Sequence, residues 1–250
     1  MPSDQISFTD VEYSKRRRVS RREQFLDTMD ATIPWSRWVG LIEPFYYSSR
    51  RGRKPKALET MLLHFRHLLE KHQLGRKLLE SRGEIFEEQG WIMRGGTIVD
   101  ATSIAAPSPV KNAAGAGYVH SVTATAASVH DLDQIAHLVR ADDDVVYADA
   151  GYQGTSKRPD VADDPHLSKV EFRIAARKSK LAAMAQPDRA AESRKASVRA
   201  KVEHPFLIIK RDFGFTKTRY RGMAKNPNHL NVLFASANWV MRARAVALMG

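Results

Sequence analysis

The rest of this chain is organised around the stretch VVYADAGYQG, residues 145–154. It begins with the strand-favouring residues Val145, Val146 and Tyr147 and ends in a turn bounded by glycine. Asp149 lies where the predicted strand ends, so its carboxylate stays accessible to ions while the sheet fixes its backbone. A metal site needs a ligand at such a position, but aspartate is also a common turn residue that caps its own turn. On this stretch alone, both interpretations of Asp149 remain open.

A second aspartate has a similar placement. The segment GGTIVDATSIAAPSP, residues 95–109, predicts a short strand, and the alternation of a strand places Asp100 on one face with Ile98 and Thr102. An aspartate inside an otherwise apolar strand is costly unless it is paired or binds a cation. Asp100 is therefore a stronger candidate ligand than Asp149.

The segments around these two strands complete an α/β pattern. We predict a strand in YVHSVTATAA (118–127), a helix capped by His130 and Asp131 in SVHDLDQIAHLVR (128–140), and a strand that begins at Val170 in VEFRIAARK (170–178). Strands that alternate with helices are typical of the α/β class. We also expect the strand at residues 119–125 to pair directly with the strand of Asp100, because the intervening AAGAG segment is a normal hairpin length.

A third acidic candidate lies in RAAESRKASVRAKVEHPFLIIK, residues 189–210, which predicts a helix. One stripe of this helix carries Arg199, Glu203, Phe206 and Lys210. Pro205 should kink or restart the helix near Glu203, because proline lacks a backbone donor. The plain alternative for Glu203 is an i,i+4 salt bridge to Arg199, which would contribute only about 0.3–0.5 kcal/mol.

The overall charge predicts a polyanionic partner. Lys plus Arg is 40 and Asp plus Glu is 28, so the net charge is 40 − 28 = +12, and the pI is near 10.0. Nucleic acid is the favoured partner, and a membrane surface is not, since no amphipathic helix with a clean basic face stands out. The absence of cysteine excludes disulfides and thiolate zinc sites. Without a signal-peptide pattern or a membrane-spanning apolar run, we expect a soluble cytoplasmic protein.

The basic residues are concentrated in two segments. Residues 15–22, KRRRVSRR, hold six basic side chains in eight positions and are either a phosphate-contacting arm or a solvated helix start. Residues 210–225 interleave basic side chains with aromatic rings, a composition typical of nucleic-acid contacts. The predicted DNA-binding residues are Arg16, Arg17, Arg18, Arg21, Arg22, Lys217, Arg219 and Arg221. Residues 131–165, by contrast, hold nine acidic and three basic side chains.

Several of these segments together resemble the Asp–Asp–Glu transposases of bacterial insertion sequences, in the IS-five branch of the IS-four superfamily. The matching stretches are GTIVDAT (96–102), ADAGYQG (148–154), VRAKVEHPFLIIKRDFGFTKTRYRG (198–222), LETML (58–62), FRHLLEKHQL (65–74) and LFASAN (233–238). The resemblance covers most of the chain, and ADAGYQG together with the Glu203 segment is specific. It implies a ribonuclease H-like fold, in which a mixed sheet is flanked by helices.

The resemblance also implies a function and a site. Asp100, Asp149 and Glu203 would be the metal-binding triad for two Mg²⁺ ions, with Mn²⁺ as an alternative. Arg199 and Lys210 match the basic members of the family's Tyr-Arg-Glu-Lys signature, and Ala196 occupies the tyrosine position. The expected activity is cleavage at the element ends followed by strand transfer into target DNA. The expected partners are double-stranded DNA and a second copy of the chain, in a bacterial cytoplasm at the nucleoid.

This chain departs from the family pattern at two places. A helical segment between LETML and LHFRHLL is missing, and only AAGAG (113–117) stands where the family has a further strand. We therefore expect a sheet that lacks one strand. The predicted organisation is a basic arm and helix at 1–56, a truncated helical region at 57–90, a ribonuclease H-like catalytic domain at 91–225 and a docking helix at 226–250. The alternative function is a catalytically inactive DNA-binding remnant of such a transposase.

Overall fold

The structure is a computed structural model, and it describes residues 20–46, 66–92, 96–99, 117–126, 128–181, 183–218, 220 and 225–247. The N-terminal part is helical, as predicted. Its helices are α1 (Arg21–Thr32), α2 (Trp35–Ile42), α3 (Arg66–Lys71) and α4 (Leu74–Glu88). Helix α1 begins with a capping box, in which the Ser20 side chain accepts from the Glu23 backbone and the Glu23 side chain accepts from the Ser20 backbone. The chain turns between α3 and α4 at Gln73, whose φ of 51° is left-handed.

A small parallel sheet forms the centre of the C-terminal part. Its strands are β1 (Gly96–Ile98), β2 (Val145–Ala148) and β3 (Glu171–Ile174), in the order β1-β2-β3. Ile98 pairs with Tyr147, and Ala148 pairs with Ile174. The predicted strands before Asp100, before Asp149 and after Val170 are therefore confirmed, and so is the α/β class.

Helices and turns connect and cover the strands. They are α5 (Ile135–Leu138), α6 (Pro159–Ala162), α7 (Lys178–Leu181), α8 (Gln186–Arg199), α9 (Glu203–Arg211) and α10 (Lys225–Ala247). The predicted helix after residue 128 begins as a 3-10 turn, and His130 caps that turn by accepting from the Leu132 N–H. None of the helices in the described ranges is long and apolar enough to cross a membrane.

Two hydrophobic cores hold these elements. The larger core is helical and joins the N-terminal helices to α9 and α10 around Phe86 and Trp239, whose ring centroids lie 4.8 Å apart. Helix α10 contributes Trp239 and Phe234, which are buried in this core. The smaller core lies against the sheet around Val146 and Ile135, which are fully buried.

The prediction of a strand at residues 118–127 was wrong over residues 118–126, the part that the structure describes. Val119 donates its N–H to Asn238 Oδ1 and accepts from Asn238 Nδ2, both at 2.9 Å. The Arg82 guanidinium also donates to the Val119 carbonyl. Side chains of α10 and α4 thus satisfy a backbone that we expected to pair with β1, and the expected hairpin does not form.

The prediction of a mixed sheet is also not met in the part of the chain that the structure describes. Both strand pairings found there are parallel. The segment expected to supply the antiparallel neighbour is the one at residues 118–126, where the Val119 backbone is bonded to side chains of α4 and α10. The described architecture is therefore a mostly helical α/β fold with three parallel strands.

The predicted helix at residues 189–210 is divided before Pro205. Helix α8 ends at Arg199, a 3-10 turn follows at Ala200–Val202, and α9 begins at Glu203. Pro205 then falls in the first turn of α9, where its missing N–H has no intrahelical partner to lose. The restart near Glu203 is confirmed, but the single stripe is not, because Arg199 belongs to a different helix from Glu203.

Candidate active site

Asp149 follows β2 directly, at the carboxyl edge of the sheet. Its Oδ1 accepts from the Gly151 N–H at 2.8 Å and so caps the 3-10 turn Ala150–Tyr152. A Cβ at Gly151 would lie 2.9 Å from this oxygen, so the glycine leaves room for the carboxylate. The capping interpretation of Asp149 is therefore confirmed, and its Oδ2 has no hydrogen bond or ion pair to any other described side chain.

Asp100 lies outside the described residues, but the chain that leads to it does not. The Val99 N–H donates to the Tyr147 carbonyl at 2.8 Å, one position beyond the last pair of the β1–β2 ladder. The Ala175 N–H donates to the Ala148 carbonyl at 3.0 Å in the same way on the other side of β2. These contacts align the carboxyl ends of the three strands at the edge that carries Asp149.

Helix α8 is attached to the same edge by polar contacts. Glu192 accepts from the Ala176 N–H at 2.8 Å, and Lys195 Nζ contacts the Ile174 carbonyl at 3.4 Å. Lys195 also forms an ion pair of 2.7 Å with Glu192. None of the described residues of α8 is buried. The polar contacts with the end of β3 therefore hold the helix against the sheet.

The three remaining candidate residues lie at the end of α8 and in α9. Arg199 ends this helix, and Glu203 is exposed at the first position of α9, eight residues beyond Lys195. Lys210 is half-buried in the last turn of α9, with Nζ 6.0 Å from the ring centroid of Phe206. None of the ion pairs found among the described residues joins Glu203 to Arg199, so the plain alternative for Glu203 is not supported.

The donor chemistry of these residues fits a hard divalent cation. Asp149 and Glu203 offer carboxylate oxygens, the ligands that Mg²⁺ and Mn²⁺ prefer, and neither has an ion pair with a basic side chain in the described ranges. Over those ranges, no group of three or more histidine, aspartate or glutamate side chains has the geometry of a metal site. Asp100, the third carboxylate of the predicted triad, lies outside the described residues.

The predicted DNA-binding residues are only partly described. Lys217 is exposed. Arg21 and Arg22 lie in the first turn of α1, so this end of the basic segment is a helix start. Arg16, Arg17, Arg18, Arg219 and Arg221 lie outside the described residues.

The sequence did not single out the polar residues that hold the site in place. Glu192 and Lys195 are spaced i,i+3, which is a weak signal that an exposed helix also produces. Thr97 lies among apolar residues in β1, and its buried hydroxyl donates to Asp143 Oδ2 at 2.5 Å. A polar residue in the middle of an apolar strand was the available signal for Thr97.

The comparison with known proteins identifies the family. No solved structure matches this chain. The family model described as the transposase DDE domain matches residues 91–239, more than half of the 250 residues. That span includes all three strands, Asp100, Asp149 and Glu203, and transposases of this kind act on DNA and generally use a divalent metal. The chain therefore belongs to the family of transposase DDE domains, within the IS-four-like superfamily.

Proposed function

We propose that this chain is a DNA transposase of the IS-five branch, which cleaves insertion-sequence ends and joins them to target DNA in a metal-dependent reaction. The alignment of β1 and β2 carries the proposal. The described register pairs Ile98 with Tyr147, and if it continued by two positions Asp100 would fall opposite Asp149. Neighbouring carboxylates at the carboxyl ends of parallel strands are well placed to share a cation.

The position of α8 supports Glu203 as the third carboxylate. Lys195 and Glu192 hold this helix at the end of β3, next to the edge that carries Asp149. Glu203 lies eight residues further along the chain, a helical rise of about 12 Å. Because one helix ends at Arg199 and the next begins at Glu203, the chain can change direction between them. A single straight helix would place Glu203 further along the axis of α8, away from the sheet edge.

In this proposal, each residue has a separate role. Bound divalent cations, which we take to be Mg²⁺, supply Lewis-acid stabilisation of the attacking and departing oxygens. Asp100, Asp149 and Glu203 hold the cations, and Arg199 and Lys210 contact DNA phosphates by charge-assisted hydrogen bonds. Lys217, Arg219, Arg221 and the basic segment at residues 15–22 bind the DNA backbone. The active species is a homodimer on two DNA ends.

A specific observation favours the second candidate, the inactive DNA-binding remnant. The segment at residues 117–126 does not extend the sheet, although the strand expected at residues 119–125 should have paired directly with the strand of Asp100. Internal deletions beside β1 would explain this arrangement. A remnant would keep the basic residues and bind DNA ends without cutting them.

One assay separates the two candidates. The full chain is incubated with Mg²⁺ and labelled DNA that carries the element ends, and cleavage and binding are measured in parallel. The proposal predicts cutting that Asp149→Asn and Glu203→Gln each abolish while DNA binding persists. Asp163→Asn is the matched control, since Asp163 is exposed and lies outside the proposed site. DNA binding without any cutting by the parent protein would establish the remnant instead.

A further inference from the structure

A buried polar cluster joins three segments at the opposite end of the sheet. Thr97 of β1 and Asp143, which precedes β2, are only 4% and 3% exposed. The Thr97 hydroxyl donates to Asp143 Oδ2 at 2.5 Å and contacts His120 Nε2 at 2.9 Å. Asp143 Oδ2 also accepts from the Arg140 N–H at 2.8 Å. The cluster therefore connects the start of β1, the start of β2 and the segment at residues 117–126.

The proton count assigns a direction to every bond in the cluster. A threonine hydroxyl has one proton, and Thr97 gives it to Asp143, so His120 must donate its Nε2–H to Thr97. His120 Nδ1 is then an acceptor, and it lies 2.8 Å from the Ser121 hydroxyl. The imidazole is neutral in this arrangement, which agrees with burial lowering the pKa of His120 to about 4. The Thr97 hydroxyl, both His120 ring nitrogens and Asp143 Oδ2 therefore each have a defined partner.

The register of β1 needs such a cluster because burial alone does not determine it. Within the described residues 96–99, β1 forms three residue pairs with β2. A slip by one residue would turn the buried Thr97 and Val99 outward, so burial opposes it. A slip by two residues keeps the same faces and moves the strand by about 6.6 Å. Only a contact that depends on position along the strand distinguishes the observed register from this slip.

We propose that the Thr97–Asp143–His120 cluster fixes the register of β1 on β2, and that Thr97 is thereby a positioning residue for the carboxylates. A two-residue slip would separate Thr97 from Asp143 and leave a buried carboxylate with one donor fewer. It would also set Asp100 opposite Tyr147 or Gly151 instead of Asp149. The consequence for cleavage rests on the proposed function, whereas the register itself does not.

The test reads the register directly by disulfide trapping, since the natural chain has no cysteine. Cysteine pairs are introduced at positions 98 and 147 for the observed register, and at 98 and 145 or 98 and 149 for a slip in either direction. Cross-linking after mild oxidation is quantified by mass spectrometry. The comparison is made in the parent, in Thr97→Val, which keeps the shape and removes the hydroxyl, and in Thr97→Ser, which keeps the hydroxyl.

We expect Thr97→Val to shift the yield ratio of native to slipped cross-links by about tenfold, the effect of one lost hydrogen bond, and Thr97→Ser to restore it. Asp143→Ala removes the other end of the same bond and should shift the ratio in the same direction, so the test survives if Thr97→Val does not fold. Unchanged native cross-linking in either folded variant overturns the proposal.

A second readout separates this proposal from the proposed function. Without the cysteines, Thr97→Val should lower the cleavage rate at saturating DNA about tenfold, leave DNA affinity unchanged and be rescued by Thr97→Ser. If the parent protein cuts no DNA, the proposed function fails, and the cross-linking ratio still decides the register.

Discussion

At the scale of single residues, His120 makes stability depend on pH. It faces Thr97 and Ser121 directly, and Asp143, Asp142, Arg140 and Arg82 act on it electrostatically. Burial lowers its pKa to about 4, so in mildly acidic solution the unfolded chain binds a proton that the folded chain does not. The contribution of His120 is complete above pH about 6.5 and is lost progressively as the pH falls to about 4, up to about 3 kcal/mol.

Comparison with His120→Gln isolates this effect. Glutamine keeps a side-chain N–H donor for Thr97 but does not titrate, and the other ionisable groups are the same in both proteins. We predict that the free energy of unfolding, measured by urea denaturation between pH 7 and pH 4.5, falls more steeply in the parent than in the variant. Parallel pH profiles would show that His120 is solvated or charged in the folded state.

The residues of the site differ in how far the sequence could predict them. Asp149 was placed correctly at a strand end because β-branched residues and a glycine-bounded turn are local signals. The cluster around Thr97 could not be predicted, since its partners lie 23 and 46 positions away in sequence. Only the folded chain brings them together.

At the scale of elements, the crossing of α4 and α10 depends on Gly75. Its N–H donates to Asn228 Oδ1 at 2.8 Å, and a Cβ at this position would lie 2.4 Å from the Asn228 carbonyl oxygen. Backbone cannot move aside cheaply, so Gly75→Ala should separate the two helices. We predict a loss of roughly 1–3 kcal/mol in the free energy of unfolding, measured by urea denaturation.

The same helix supplies the matched control. Gly83 lies in α4 with open space where a Cβ would be. Gly83→Ala should stabilise the protein by roughly 0.5–1 kcal/mol, because alanine has the higher helix propensity. Equal effects of the two substitutions would mean that α10 does not approach α4 as closely as the structure places it.

The elements also show where local patterns mislead. The predicted restart of the helix near Glu203 is confirmed, because the effect of Pro205 arises within one turn of the chain. Residues 118–127 have a strand-like composition. The Val119 backbone N–H, however, bonds to the Asn238 side chain, and its carbonyl accepts from the Arg82 side chain. Composition predicts an extended chain, but the presence of a neighbouring strand is a property of the whole fold.

At the scale of the whole molecule, charge is segregated along the chain. Residues 201–225 hold seven basic and two acidic side chains, whereas residues 131–165 hold nine acidic and three basic ones. DNA binding through the first region releases counterions, so affinity should fall steeply with salt. Replacing Lys217, Arg219 and Arg221 together by glutamine should weaken binding and flatten the plot of log affinity against log salt by about 2 to 3 units of slope.

Lys157 and Lys169 provide a control for net charge. Both are exposed and lie in or next to the acidic region. Their replacement by glutamine changes the net charge without touching the proposed DNA surface, so the slope should stay at the parent value. A slope that the triple substitution leaves unchanged would place the DNA contact elsewhere on the molecule.

We propose that Asp100, Asp149 and Glu203 converge on one cation site, and iron-directed backbone cleavage can detect this convergence. Fe²⁺ bound in place of Mg²⁺ reduces added hydrogen peroxide to hydroxyl radicals, with ascorbate regenerating Fe²⁺, and the radicals cut the nearest polypeptide at sites that mass spectrometry locates. We expect cuts near residues 100, 149 and 203 in the same protein, all suppressed by excess Mg²⁺ and lost in Asp149→Asn. Cuts near only one of these residues, or cuts that Mg²⁺ does not suppress, would contradict it.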